Sequence, residues 1–269
     1  MIQLALFGDP VLHSQSPQIH LAFANQFNMD ISYQKQQISD QHFEKAVAQF
    51  FQQGGKGLNI TVPYKPRAYR LAAICSAAVA QCGAANTLWM ENGQIYADNT
   101  DGAGFILDLK SHYPNLIDKD VLILGAGGAV RGILQPLLNE NPKSIYLVNR
   151  TLENAQMLIK DIQSNTSIQA FNFDIPSTHS PQIIINALSD DSHIQKILEK
   201  LNLEYCEFFY DLKYGINAIH SLSLAQKMGI KQTSDGLGML LGQAALSFEI
   251  WTGLKPDIEL IHKNELFKF

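Results

Sequence analysis

Four short polar segments of this chain carry residue types that could do chemistry together. Asn59-Ile60-Thr61-Val62-Pro63-Tyr64-Lys65 offers an amide, a hydroxyl and an amine in close succession. In an extended stretch Asn59 and Thr61 share a face, and a turn at Pro63 can direct the Lys65 amine back towards it. Ser14-Gln15-Ser16-Pro17 sets two hydroxyls two residues apart at a helix start, where both could donate to one carboxylate. Simple N-capping by Ser16 would explain the same pattern. Gly83-Ala84-Ala85-Asn86-Thr87 and Asp98-Asn99-Thr100-Asp101-Gly102 flank a hairpin signal, so Asn86 and Asp101 could approach each other. Turn chemistry alone would also account for these two segments. Taken together, Ser, Thr, Asn, Asp and Lys suit a small substrate with a carboxylate and several hydroxyls. Hydrogen bonds to hydroxyls give strong selectivity, because a wrong ligand leaves buried polar groups unpaired.

A fifth segment concerns a cofactor. Gly125-Ala126-Gly127-Gly128-Ala129 follows the apolar run Val121–Leu124 and precedes a helical stretch through Leu138. Glycines let backbone approach a pyrophosphate, and a helix N-terminus supplies free N–H groups and positive potential. The third glycine of the general dinucleotide pattern is Val130 here, so the loop could also be a plain strand–helix turn. After the next strand, Ser144–Val148, stands Asn149-Arg150-Thr151 instead of the acid that binds ribose hydroxyls in NAD enzymes. A guanidinium there would attract a 2′-phosphate and favours NADP, although Arg150 could equally be a solvated surface residue.

The elements that must position these groups are of α/β type. Leu4–Gly8 and Gly57–Thr61 read as strands, and Pro17–Phe27 as a helix. Asp40–Phe51 reads as a second helix, capped by Asp40. Thr87–Met90 and Gln94–Ala97 flank Asn92-Gly93, a strong hairpin signal. Thr151 reads as the N-cap of a helix, and 183–185 and 206–210 as further strands. Asp235–Trp251 makes a long apolar helix, and a last amphipathic helix follows Pro256. The alternation from Val121 onward implies a doubly wound parallel sheet. The 269 residues allow two domains. Gly102, Gly104 and Gly236 bracket the crossings between them and hint at hinge bending.

Composition sets limits. Hydrophobic residues are 46% and charged residues 17% of the chain, enough to bury real cores. A net charge of −5 argues against a nucleic-acid or anionic-membrane binder. Cys75, Cys82 and Cys206 form no metal or redox spacing, which suggests reduced thiols and a cytoplasmic setting. The start, Met1–Phe7, lacks the form of a signal peptide. No metal-ligand spacing occurs among His, Cys, Asp and Glu, so no metal is expected.

The motifs, in order and with fitting spacing, resemble the shikimate/quinate dehydrogenase family. The match runs from Gly8 to about Ala244 and includes Ser-x-Ser at Ser14 and Ser16, and Asn-x-Thr-x-Pro-x-Lys at 59–65. It continues with Gly-Ala-x-Asn-Thr at 83–87, Asn-Thr-Asp-Gly-x-Gly at 99–104 and Gly-Ala-Gly-Gly-Ala-x-Arg at 125–131. Asn-Arg-Thr at 149–151 and the signature around Asp235-Gly236, Met239, Leu240 and Gln243-Ala244 complete it.

The resemblance implies a reversible NADPH-dependent reduction of 3-dehydroshikimate to shikimate, on the route to chorismate and aromatic amino acids. Lys65 would be the acid–base group with Asp101 beside it. Ser14 and Ser16 would hold the carboxylate, with help from Tyr214. Thr61, Lys65, Asn86, Asp101 and Gln243 would bind the ring hydroxyls. NADP would lie against Gly125, Ala126, Gly127, Gly128, Ala129 and Asn154, with Arg150, helped by Asn149 and Thr151, at its 2′-phosphate and Leu212 and Gly236 beside the nicotinamide. Residues 1–101, completed by 237–269, would form the substrate and catalytic domain, and 102–236 a Rossmann-like NADP domain. The enzyme would be a cytoplasmic monomer or homodimer whose partner is a small molecule.

The chain departs from the family at three points. Ile216 and Ile219 replace a Pro and a Thr after Tyr214. Leu188 replaces a Thr, and Asn154 stands where a basic residue is frequent. Two other readings follow: an NAD-using quinate/shikimate dehydrogenase, and a non-catalytic cofactor-sensing protein on the same scaffold.

Overall fold

A computed structural model describes residues 1–160 and 162–263, with side chains described through Ile261. Of the C-terminal stretch expected to complete the first domain, residues 264–269 lie outside the described residues. In chain order the elements of the first part are β1 (Ile2–Gly8), α1 (Ser16–Gln26), β2 (Ile31–Gln37), α2 (Phe43–Gln52), β3 (Gly57–Ile60), α3 (Lys65–Leu71), β4 (Ile74–Cys75), α4 (Ala77–Cys82), β5 (Thr87–Glu91), β6 (Gln94–Asp98) and α5 (Asp101–His112). There follow β7 (Asp120–Leu124), α6 (Gly128–Asn139), β8 (Ser144–Val148), α7 (Leu152–Ile159), β9 (Ser167–Phe171), β10 (Ile183–Asn186), α8 (Ile194–Leu198), β11 (Phe208–Asp211), α9 (Ile219–Lys227), β12 (Gln232–Ser234), α10 (Leu237–Thr252) and α11 (Ile258–Lys263). The chain forms two compact units, Met1–Gly104 with the described residues from Leu240 onward, and Phe105–Met239.

The first unit is built on a mixed sheet of order β2-β1-β3-β5-β6-β4. β1 pairs in parallel with β2 and β3, and β5 runs antiparallel to both β3 and β6. Asn92 and Gly93 turn the β5–β6 hairpin with φ of 51° and 75°, the left-handed pair that a two-residue loop needs. One face buries Phe7, Phe43, Val47, Leu58, Tyr64 and Leu88. The long helix α10 returns to this unit and packs closely. A Cβ on Gly57 would come within 2.3 Å of the Trp251 ring, and the Trp251 indole N–H donates to the Leu88 carbonyl at 3.2 Å.

The second unit is an all-parallel sheet of order β12-β11-β10-β7-β8-β9. Numbered within the sheet, this is the order 3-2-1-4-5-6 of dinucleotide folds, read from the β9 edge. β10 and β11 are buried along their whole length, as continuous apolar strands covered on both faces must be. Separate clusters line the two faces, one around Val121, Ile123, Val130 and Ile185, the other around Leu122, Leu124, Ile184 and Phe209. The strand order reverses between β7 and β10, and the Gly125 turn leaves β7 at this switch point.

Several local expectations change. Ser16 is not an N-cap but lies inside α1, and the Ser14 hydroxyl accepts from its backbone N–H at 3.2 Å. Asp40 opens a short 3-10 turn instead of capping α2, because the Arg67 guanidinium takes its carboxylate at 2.7 Å. Thr151 holds the cap position of α7 in extended conformation, without a side-chain capping bond. The strand expected at 206–210 runs from Phe208 to Asp211. The long helix starts at Leu237, whose backbone N–H donates to Asp235 Oδ1 at 3.0 Å. Gly104 and Gly236 are close-approach positions. A Cβ on Gly104 would meet the Gln243 backbone nitrogen at 2.5 Å, and one on Gly236 the Leu212 carbonyl oxygen at 2.4 Å.

Candidate active site

In the first unit the Lys65 amine donates to Asp101 Oδ2 at 2.6 Å. Each residue opens a helix, Lys65 opening α3 and Asp101 opening α5. Both side chains are partly buried, with exposures of 27% and 17%, so a solute can reach the pair. The carboxylate sits at a helix N-terminus, where the backbone dipole favours negative charge, and the Asp101 backbone N–H is held by Asn99 Oδ1 at 3.1 Å. The second carboxylate oxygen, Oδ1, accepts from the Asn86 amide at 2.8 Å.

Asn86 is almost fully buried, and its amide is held at both ends. Its nitrogen also donates to Thr100 Oγ1 at 2.9 Å, and its oxygen accepts from the Thr87 hydroxyl at 2.8 Å and the Thr100 backbone N–H at 2.9 Å. Gln243 on α10 meets the same amide at 3.4 Å. Lys65, Asn86, Asp101 and Gln243 are therefore brought together. Ser14 and Ser16 form a pair of their own, hydroxyl to hydroxyl at 3.0 Å. The Lys35 amine holds their loop through the Leu12 and Ser14 carbonyls at 2.6 and 3.3 Å. Thr61, half-buried just after β3, stands apart from the carboxylate network, its methyl packed over Gly8.

Sequence reasoning gave no role to Lys35, Tyr33 or Ser247, nor to the buried His20 behind them. His20 stacks on Tyr33 at 4.5 Å among Phe23, Phe248 and Trp251. Burial pushes its pKa from 6.5 down to about 3. Neither ring nitrogen meets a hydrogen-bond partner among the described residues. The spacing of Ser247, one helical turn after Gln243, was the only available signal.

In the second unit, Gly125 has φ of +111° and a Cβ there would approach the Ala187 carbonyl oxygen to 3.0 Å. Gly127, in extended conformation, precedes α6, and a Cβ on either Gly127 or Gly128 would meet nothing within 4 Å. The first amides of α6 have no intrahelical acceptor. Open backbone of this kind fits a pyrophosphate. Ala126 and Ala129 belong to the same turn. Asn149 donates from Nδ2 to the Thr151 carbonyl at 2.8 Å, while Arg150 and Asn154 are exposed. Asp190 is held below the usual carboxylate range by the Ser192 backbone N–H first, with Arg150 among the lesser causes. Leu212 follows β11 beside Gly236. Tyr214 is half-buried, and burial raises its phenol pKa. Among the described residues no group of three or more His, Cys, Asp or Glu could hold a metal, and no helix is long and apolar enough to cross a membrane.

Unit by unit, these features are those of an α/β oxidoreductase. Three family models match: the shikimate dehydrogenase substrate-binding domain over residues 6–88, the shikimate/quinate 5-dehydrogenase model over 108–211, and the shikimate 5′-dehydrogenase C-terminal domain over 236–263. The NADP(+)-dependent shikimate dehydrogenase of Legionella pneumophila strain Lens is 43% identical over 262 residues, covering 96% of each chain. A shikimate 5-dehydrogenase from Listeria monocytogenes, solved with shikimate and NAD, aligns with a TM-score of 0.87 at 26% identity over 99% of this chain and 96% of that one. A shikimate dehydrogenase solved with NADP+ aligns with a TM-score of 0.86 at 28% identity, over 100% and 96%. The chain belongs to the shikimate dehydrogenase family.

Proposed function

We propose that Lys65 and Asp101 form the catalytic pair of an NADP-dependent shikimate dehydrogenase, which interconverts 3-dehydroshikimate and shikimate. The observation that carries the assignment is the 2.6 Å contact between them, with the other carboxylate oxygen fixed by Asn86. NADPH, when bound, would supply the hydride for the ketone carbon. Lys65 delivers a proton from Nζ to the ketone oxygen in reduction and removes it in the reverse direction. Asp101 orients that amine and accepts from a ring hydroxyl. Ser14 and Ser16 bind the carboxylate, with Tyr214, and Thr61, Asn86 and Gln243 bind hydroxyls.

Gly125, Ala126, Gly127, Gly128 and Ala129 would hold the pyrophosphate. Arg150, with Asn149 and Thr151, would hold the 2′-phosphate, Asn154 would lie against the cofactor nearby, and Leu212 and Gly236 would lie along the nicotinamide. Substrate binding is assigned to residues 1–101 with 237–269, and cofactor binding to 102–236. The three cysteines are free thiols, which supports work in the cytoplasm. Every assigned residue comes from one chain, so a monomer or a homodimer would serve. The NAD complex of the Listeria protein favours some use of NAD as a second reading. NADPH absorbance appearing when the protein meets shikimate and NADP+ is the expected result, and its absence would defeat the assignment.

A further inference from the structure

A chain of buried hydrogen bonds leads from the aromatic cluster to the Asp101 carboxylate, and Ser247 is its middle link. Ser247 is fully buried on α10. Its hydroxyl lies 2.7 Å from Thr87 Oγ1 on β5 and 3.2 Å from Asn59 Nδ2 on β3. It also lies 3.2 Å from Thr100 Oγ1 and 3.0 Å from the Gln243 carbonyl, one turn earlier in the same helix.

The neighbours fix both amide orientations. Asn86 must turn its nitrogen to the Asp101 carboxylate, since its oxygen takes the Thr100 backbone N–H. Asn59 must turn its nitrogen to the Asn86 carbonyl at 3.1 Å, leaving its oxygen to the Tyr33 hydroxyl at 2.7 Å. One placement of the hydroxyl protons then satisfies the path through the closest contacts, the direct one from Asn59 Nδ2 to Thr87 Oγ1 being longer at 3.4 Å. Tyr33 donates to Asn59, Asn59 to Ser247, Ser247 to Thr87, Thr87 to Asn86, and Asn86 to Asp101. Every dipole on this path points the same way, towards the carboxylate, and each polarises the next.

We infer that Ser247 is a positioning residue, which holds Thr87 and through it the Asn86 amide in the orientation that fixes Asp101 against Lys65. The inference rests on the catalytic assignment above. It separates Ser247 from the ligand-binding residues, because the hydroxyl acts only through others. Removing it leaves the Ser14–Ser16 pair untouched. With the carboxylate-binding pair elsewhere, the cost falls more on turnover than on substrate capture.

The test is steady-state kinetics of shikimate oxidation by NADP+ with the full chain, well below each variant's melting temperature. Wild-type turnover establishes the underlying activity independently. Ser247→Ala should lower kcat by about tenfold, with the shikimate KM within about twofold, because sub-ångström misplacement acts on the reacting geometry. Thr87→Val, nearly isosteric, should do the same, while Thr87→Ser, which keeps the hydroxyl, should stay within about twofold of wild type. The Ser247→Ala/Thr87→Val double variant should fall no further than either single, since both cut one chain. Wild-type kcat in folded Ser247→Ala and Thr87→Val, a loss shared equally by Thr87→Ser, or full additivity in the double variant would overturn the inference. If Ser247→Ala fails to fold, the Thr87 pair decides alone.

Discussion

In the second unit the surface that matters is backbone: Gly127 and Gly128 leave open space before α6, and few side chains intrude. The first unit instead gathers Lys65, Asn86, Thr87, Thr100, Gln243 and Ser247 around one carboxylate. The contrast is what the proposed ligands would require. A pyrophosphate is a generic anion, and amides with a helix dipole suffice for it. A small ring with several hydroxyls is told from its analogues only by donors and acceptors at fixed places, so the site needs a rigid buried network behind it.

The sharpest way to break this contrast is to remove a side chain from the network. Asp101→Asn should lower kcat on the order of a hundredfold, while its melting temperature stays near wild type, because the pair is part-exposed. A kcat within a few-fold of wild type would show that the network serves folding alone. In the second unit, Arg150→Ala should raise the KM for NADP+ by roughly ten- to a hundredfold and leave that for NAD+ almost unchanged. An unaltered ratio between the two cofactors would remove Arg150 from the phosphate site.

A smaller effect tests the backbone side directly. Gly128→Ala adds a methyl into open space, so the apoprotein should melt within a degree or two of wild type. The KM for NADP+ should nevertheless rise by about tenfold, since the methyl occupies the anion's approach. Gly125→Ala, at φ +111° and against the Ala187 carbonyl, should destabilise the fold instead.

The smallest effect concerns the core behind the network. The His20 pKa is lowered from 6.5 to about 3 by burial. Between those values the unfolded chain binds a proton that the folded chain refuses. The stability this group contributes is therefore complete above pH 6.5 and is lost as pH falls towards 3. The loss should approach about 1.4 kcal/mol per pH unit, readable from urea midpoints at pH 7 and pH 5. His20→Phe should flatten that slope, and an unchanged slope would assign the acid sensitivity elsewhere.

The two units were also unequally legible in the sequence. Apolar runs buried on both faces and a glycine turn are local patterns, so β7, β8 and the start of α6 could be placed from periodicity and composition. The Asn92-Gly93 hairpin was equally local. β2, with the sequence Ile-Ser-Tyr-Gln-Lys-Gln-Gln, hides because an edge strand can carry polar residues on both faces. Asp40 looked like a cap because nothing local reveals Arg67, whose guanidinium lies over the Phe43 and Tyr64 rings at 5.1 and 5.4 Å and reaches back to it. Ser247 reads as an ordinary helix serine. Its meeting with Thr87, 160 positions earlier, exists only once α10 has returned to the sheet. Lys65 and Asp101 were conspicuous as types, but their 2.6 Å contact depends on two helices starting side by side.

Turnover of Lys65→Ala with shikimate and NADP+ tests the central claim most directly. Loss of the proton donor should lower kcat by about a thousandfold, with the shikimate KM within about threefold of wild type. A folded Lys65→Ala protein that turns over within tenfold of wild type would contradict the account.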